Sequence, residues 1–223
     1  SFVLPTDIYA EVGGGVFRGD DFPIGGSVSG LGGWSAFGRI GGDIGDNQSW
    51  RLGGYTLQGD VNARTTNEDT ITFTGKSNLY AVDLRYTWAP TGNASEQELI
   101  LQAEYFHRSE DGEYNVGNGA VSFDDDAGGW YAQAVYKFAP AWRLGARYSR
   151  MHAPGTPVGL VGSALDSAGH DPEAFAIMGD WTNSEYGRIR LQYNREELAD
   201  NQSDNQFLLQ YIMSIGAHGA HPY

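Results

Sequence analysis

Arginines and carboxylates recur at intervals of two or four positions in several segments of this 223-residue chain. In an extended strand, side chains two positions apart lie on the same side, so the members of each group would share one face. Such a face can form internal salt bridges or, where water enters, create a field that orders permeating solutes. We interpret the recurring charges as lining a lumen, and the residues selected on this basis are Asp83, Arg85, Glu104, Arg143, Arg147, Asp180, Arg188 and Arg190.

The segments that carry these charges alternate between polar and apolar residues. Tyr80, Leu84 and Trp88 alternate with Asp83 and Arg85, which gives one apolar face and one charged face. The same pattern predicts about ten strands, several of them near the roughly 9 to 11 residues that a tilted strand needs to cross a bilayer. These strands are Ile8–Phe17, Trp34–Ile44, Trp50–Ala63, Tyr80–Trp88, Leu99–Phe106, Ala132–Phe138, Trp142–Ser149, Phe175–Trp181, Arg188–Asn194 and Phe207–Ile215.

The connections between these strands alternate between short and long. Short turns are predicted at 45–49, 89–96, 139–141 and 182–186, and longer segments at 18–31, 65–76, 109–128, 153–171 and 197–205. All six tryptophans lie at the beginning or end of a predicted strand, as in the aromatic girdles of membrane barrels. The sequence therefore predicts an all-β protein, an antiparallel up-and-down transmembrane β-barrel that forms one domain over residues 1–223.

Composition excludes several classes of protein. The 14 Lys and Arg against 28 Asp and Glu give a formal charge of −14, which opposes binding to nucleic acid. The chain has no cysteine, which removes disulfide frameworks and thiolate chemistry. No window has the ~18 to 20 uninterrupted apolar residues of a spanning helix. No segment carries a recognisable catalytic signature, so an enzyme is not expected.

Beside the stretch Thr6–Gly42, several segments from residue 88 onward are similar to one family. These are Trp88–Asn93, Leu101–Phe106, Glu110–Gly112, Gly129–Tyr131, Arg188–Asn194 and Asp204–His221, the last closing with Gly-Ala-His-Gly-Ala-His. They resemble a family of proteobacterial outer-membrane β-barrel proteins that are described as porin-like, some of them linked to zinc uptake. The resemblance implies a location in the bacterial outer membrane. Family members carry a further N-terminal portion with a short helical segment and more strands, so we expect either a compact relative or part of a larger barrel.

The C-terminal segment contains the candidate metal ligands. His218 and His221 could make a transient contact with zinc or another divalent cation, but two imidazoles do not complete a tetrahedral site. Tyr223 could be read by the barrel-assembly machinery. Asp124, Asp125 and Asp126 form an acidic cluster in a predicted outer loop, where solvated charge is favoured over chelation. No resident cofactor is expected.

The sequence is compatible with three functions. The first is a porin-like outer-membrane channel for the passive passage of small polar solutes or cations. The second is a plugged structural or binding barrel that acts as an anchor or partner subunit, in which the arginines pair with Asp43, Asp83, Glu104 and Asp180. The third is a soluble ligand-binding barrel resembling lipocalins, with its apolar faces turned inward. The expected partners of the first two are outer-membrane lipid, the assembly machinery and a second copy or another membrane subunit.

Overall fold

A computed structural model describes residues 1–26, 30–65, 71–117, 119–184, 186–200 and 202–213. Within these ranges the chain forms one antiparallel sheet whose 11 strands follow the order of the sequence. No helix within these ranges is long and apolar enough to cross a membrane. The strands are β1 (Phe2–Val3), β2 (Tyr9–Phe17), β3 (Gly33–Asp43), β4 (Gln48–Thr65), β5 (Ile71–Trp88), β6 (Glu98–Val116), β7 (Gly119–Ala139), β8 (Trp142–His152), β9 (Glu173–Ser184), β10 (Gly187–Ala199) and β11 (Gln202–Met213).

This architecture confirms the prediction of an all-β antiparallel meander. The ten predicted strands correspond to β2–β11, and β1 adds two residues beside β2. The sheet is open in the described residues, because β11 pairs with β10 and with no other strand there. Closure into a barrel therefore remains a proposal, taken up below.

Three of the predicted long connections, 65–76, 109–128 and 197–205, are wrong in extent, because paired strands continue into them. Strands β4 to β7 are 18 to 21 residues long, and β6 and β7 pair from Glu98 and Lys137 as far as Val116 and Gly119. The connection after β10 is similarly short, since β11 begins at Gln202. Polar side chains do not prevent pairing here, because they remain in solvent on one face while the backbone groups satisfy each other across the ladder.

Two connections are long, as predicted, and both fold back onto the sheet. The segment 18–32 follows β2 and contains Ile24, which is buried. The Cδ1 of Ile24 packs so closely against Gly33 and Gly59 that a Cβ at either glycine would clash with it. The segment 153–172 follows β8 and contains a short 3-10 helix, Val158–Leu160, which buries Leu160. The four connections at the opposite ends of the strands are the predicted short ones, at 44–47, 89–97, 140–141 and 185–186. We call those ends the short-turn end of the sheet.

A small apolar core lies where the long connections meet the sheet. Phe73 is completely buried and packs against Tyr114 and Phe123, with ring centroids 5.0 and 6.2 Å away. Leu160 covers the same cluster, which also contains Val61 and Ile71. This core joins β4–β7 to the connection 153–172, well away from the short-turn end.

Candidate functional site: the charged face of the sheet

Strand register assigns every side chain to one of two faces. Asp83 lies opposite Glu104, and Arg85 lies opposite Gln102. Arg143 lies opposite Asp180, which in turn lies opposite Arg190. Residues that are directly opposed in a ladder share a face. Following the register from strand to strand places all eight residues selected from the sequence on one face, which we call the charged face.

The other side, the apolar face, is exposed. Leu84 and Leu191 are 47% and 59% exposed, and Phe207 at the β11 edge is 77% exposed. The stretches of this face that belong to 50–58, 80–88, 99–105, 130–138, 142–148, 175–181 and 189–193 contain no Asp, Glu, Lys or Arg. A sheet that turns its apolar residues outward and keeps its charges on the opposite side has the reverse of a soluble protein's arrangement.

All six tryptophans lie on the apolar face. Trp50, Trp88, Trp142 and Trp181 stand within the last few residues of their strands at the short-turn end. Trp142 and Trp181 are directly opposed, with ring centroids 6.3 Å apart. Trp130 lies near the middle of β7, at the other edge of the apolar stretch Trp130–Phe138, and its ring is 5.4 Å from that of Tyr148. This distribution is that of interfacial girdles, which place amphipathic rings at both edges of an apolar band.

The tightest charge cluster on the charged face surrounds Asp180. This carboxylate is completely buried and accepts hydrogen bonds from Arg190 Nε at 2.8 Å and Arg190 Nη2 at 3.1 Å. Arg188 Nη1 approaches the same carboxylate at 3.6 Å. Both guanidinium groups are about a quarter exposed, so two half-buried cations depend on a single buried anion.

A second cluster links β4 to β6 through mixed polar contacts. Arg51 Nη2 donates to Asp83 Oδ1 at 3.1 Å, and the Tyr55 hydroxyl donates to Glu104 Oε1 at 3.2 Å across the intervening strand. Gly53 lies opposite Asp83, and a Cβ there would come within 2.2 Å of the Asp83 carboxylate. A glycine at this position therefore leaves room for the carboxylate to lean toward Arg51.

The salt-bridge plug expected from the sequence is only partly formed. Arg188 and Arg190 pair as expected, but Arg85, Arg143 and Arg147 make no ion pair within 4.0 Å in the described part of the chain. Instead, the Arg147 guanidinium lies 4.0 Å from the ring centroid of Tyr131. Alternation in the sequence predicts the face on which each residue lies but not its contacts, because register alone does not say which neighbour a long side chain contacts.

At the far end of the charged face, the long connection 18–32 contributes to a third cluster. Arg64 Nη1 donates to Glu110 Oε1 at 2.8 Å and also to the carbonyl oxygen of Pro23. Arg108 approaches Glu110 at 3.6 Å, and the Phe22 ring lies beside both guanidinium groups. These contacts hold the connection against the charged-face side of the sheet.

The predicted outer-loop position of the acidic cluster is wrong, because Asp124–Asp126 lie within β7. Strand alternation puts Asp125 opposite Glu110, while Asp124 and Asp126 point to the other face. The described residues contain no group of three or more His, Cys, Asp or Glu that could hold a metal ion. His218 and His221, the candidate zinc ligands, lie outside the described residues, as does Tyr223.

Titratable groups at the connection after β8 form a separate polar network. His170 Nδ1 lies 3.0 Å from Asp200, and its Nε2 lies 3.1 Å from the carbonyl oxygen of Glu197. That carbonyl, followed by the Asp200 carboxylate, raises the pKa of His170 above its ordinary value of 6.5. The backbone amide of Ala153, together with His152, lowers the pKa of Asp171. The network ties both ends of this connection to the sheet.

Sequence reasoning missed the charged-face residues of β2 to β4. Arg51, Arg39 and Glu11 lie on this face, and Arg39 approaches Glu11 at 3.6 Å. The alternation there is interrupted by glycines, which weakens the apolar half of the pattern. The sequence does contain a signal for both arginines, because Arg51 directly follows Trp50 and Arg39 lies five positions after Trp34. In a strand, an odd spacing puts two side chains on opposite faces, so both arginines lie on the face opposite the tryptophans.

The proteins similar to this chain include one relative by sequence and two crystal structures of one transporter. No family model matches the chain. An uncharacterized protein of Aquifex aeolicus (strain VF5) is 29% identical over 167 residues, which is 73% of this chain and 34% of that protein. The chain thus spans about a third of the length of this relative.

Two crystal structures of the Pseudomonas putida toluene transporter TodX show a distant likeness. One is 12% identical with a TM-score of 0.36 and covers 90% of this chain and 67% of that one. The other is also 12% identical, with a TM-score of 0.33 and coverage of 85% and 63%.

Proposed function

We propose that this sheet is the wall of an outer-membrane β-barrel channel that allows the passive passage of small polar solutes. The observation that carries the proposal is the opposite chemistry of the two faces. The exposed apolar stretches of one face carry no ionised group and suit lipid, and a face lined with arginines, carboxylates and amides suits water. The resemblance to porin-like outer-membrane proteins implies the same location.

The dimensions of the apolar face support this assignment. The apolar stretches of β5 and β7, Tyr80–Trp88 and Trp130–Phe138, are each nine residues long. At about 3.3 Å per residue such a stretch measures about 30 Å, and a tilt of about 40° reduces its height to about 23 Å. The apolar band of an outer-membrane barrel is about 25 Å tall.

The proposal also requires that the outer edges of β2 and β11 be hydrogen-bonded. Hydrocarbon offers no partner to a backbone N–H or C=O group, so a sheet edge open to lipid is not stable. We propose that these edges pair with each other or with further strands, and that lipid and the barrel-assembly machinery are the partners met during insertion. A second copy of the chain is the alternative way to satisfy the edges.

Two single-cysteine variants on the same strand test the orientation of the faces. The chain has no cysteine of its own, so each introduced thiol is the sole reactive one. In lipid vesicles, Arg147→Cys should react quickly with a membrane-impermeant thiol reagent, while Leu144→Cys should be protected from it and react with a lipid-soluble reagent. Equal reaction of both thiols with the impermeant reagent would overturn the assignment of the apolar face to lipid.

Conductance tests the passage of solutes directly. The purified protein in a planar bilayer should produce discrete current steps above the empty membrane. Absence of steps from a protein that passes the cysteine test would favour the second function, the plugged structural or binding barrel. The observation behind that alternative is the pair of long connections that bury Ile24 and Leu160 on the charged-face side.

A further inference from the structure

A continuous row of side chains crosses the charged face without a carboxylate. The row follows directly opposed residues from β4 to β11, and its members are Arg51, Arg85, Gln102, Gln133, Arg147, Ala176, Asn194 and Gln206. The next row toward the short-turn end is also free of acids from Ser49 to Leu208. We call the first of these the arginine–amide row.

The row changes depth as it crosses the sheet. Arg51 lies three residues beyond the start of β4 at the short-turn end, whereas Asn194 lies seven residues beyond the start of β10. The row therefore climbs by about four residues, or about 13 Å at 3.3 Å per residue. In a tilted-strand wall it would form a diagonal track of hydrogen-bond donors rather than a ring at one depth.

Two arginines of this row are available to a ligand. Arg85 and Arg147 are exposed, and neither makes an ion pair in the described part of the chain. Arg147 is opposed by the neutral Gln133 and Ala176, and Arg85 is opposed by the neutral Gln102 and by a third arginine, Arg51. An exposed guanidinium with amide neighbours in its row suits an oxyanion, because its fork of donors matches two oxygens at once. The carboxylates of the adjacent row, Asp83 and Glu104, are engaged by Arg51 and by the Tyr55 hydroxyl.

Open space surrounds Arg147. One cavity of about 330 Å³ is lined by Arg147 and Arg190 together with Gln133 and Gln192, and its lining contains no acid. Gly145 and Ala176 line the same cavity, and the absence of a side chain at one and the single methyl group of the other leave the guanidinium accessible. Asp180, the buried carboxylate of this face, already binds Arg188 and Arg190.

From this arrangement we propose that the arginine–amide row binds small oxyanions, such as carboxylates and phosphates, and makes the channel selective for anions. The proposal rests on the proposed function and narrows its solutes, which the sequence left open to polar molecules and cations. Arg147 and Arg85 are the binding groups, and the glutamines beside them supply further donors.

Reversal potential in a salt gradient tests the selectivity. A bilayer containing the wild-type protein should give a reversal potential of the sign expected for an anion-selective channel. Arg147→Gln should lower the ratio of anion to cation permeability by about fivefold, the factor for about 1 kcal/mol between unit charges 4 Å apart in water. The matched control is Arg150→Gln, which removes the same charge from the same strand but on the other face, where Arg150 pairs with Asp171. It should leave the ratio unchanged.

A binding measurement that needs no conductance completes the test. Phenylglyoxal labels exposed guanidinium groups, and inorganic phosphate should slow the labelling of Arg147 and Arg85, read by mass spectrometry, without slowing that of Arg150. Current steps with cation selectivity would overturn the inference while leaving the channel intact. Absence of current would overturn the channel, and phosphate protection would then still support oxyanion binding. Equal labelling of all three arginines with and without phosphate would overturn the inference in either case.

Discussion

Replacing Asp180 by Asn tests how the charged face is held together. The substitution keeps the shape of the side chain but removes the anion to which Arg188 and Arg190 are bound. Breaking a buried ion pair by removing one partner costs about 3 to 5 kcal/mol, because the remaining charge is left uncompensated. Here the two guanidinium groups keep about a quarter of their exposure, and the Asn carbonyl can still accept one hydrogen bond. We therefore expect a loss of about 3 kcal/mol, at the lower end of that range.

The measurement is urea unfolding of the protein in phospholipid vesicles, followed by tryptophan emission. Trp142 and Trp181 are suitable reporters, because they are opposed one position away from Arg143 and Asp180. The control is Glu197→Gln, which removes a carboxylate from an exposed pair with Arg195. An exposed pair contributes about 0 to 1 kcal/mol, so this variant should unfold close to the wild type.

A double variant separates the ion pair from a general loss of packing. If the cost of Asp180→Asn arises from an unpaired Arg190, then adding Arg190→Gln should restore part of the stability, with a coupling energy of about 1 kcal/mol or more. Equal losses for Asp180→Asn and Glu197→Gln, or additive losses in the double variant, would refute the reasoning that a buried anion organises this end of the face.

Three further predictions address the core, the apolar face and the connection after β8. Phe73→Ala should cost about 3 to 5 kcal/mol in urea unfolding and should increase amide exchange around Leu160, because the buried ring supports that connection; unchanged exchange there would contradict the packing. Leu84→Arg should destabilise the protein in vesicles by about 2 to 4 kcal/mol. Val158→Arg, at an exposed position of the 3-10 helix, should have little effect; equal effects would argue against a lipid-facing Leu84. The stabilisation that His170 gains from its raised pKa is present below pH 6.5 and is lost as the pH rises through its folded-state pKa. This pH dependence of the free energy of unfolding should therefore disappear in His170→Gln. A wild-type imidazole that titrates at or below pH 6.5 in NMR would contradict the prediction.

Strand identity and face could be read from the sequence because both depend on local alternation. Tyr80 and Asp83 must point to opposite sides of any strand that contains them, whatever that strand pairs with. The apolar residues could also be assigned to an exposed face, since the charges they alternate with are too numerous for a dry core. Both expectations match the exposure of Leu84 and the burial of Asp180.

The strand lengths and the contacts of the arginines could not be read in this way. The hairpin of β6 and β7 extends through Asp111 and Asp124, residues that favour loops when taken alone, because its other face packs Tyr114 and Phe123 into a core supplied by a distant connection. Likewise, the ion pair of Arg51 with Asp83 depends on the side-chain space left open by Gly53. These features follow from tertiary contacts that no window of the sequence contains.

The net charge of −14 also gives no guide to the charge of the proposed site. Many of the acidic residues lie beyond the apolar band, as Asp111 and Glu113 do in the extension of β6. Within the arginine–amide row the sign is reversed, and the carboxylates of the adjacent row, Asp83 and Glu104, are engaged by Arg51 and Tyr55. Exposed charges farther away than a Debye length, about 8 Å at physiological salt, are largely screened. An acidic protein can therefore present an anion-selective surface, because selectivity depends on the charges that line the route and not on the sum over the chain.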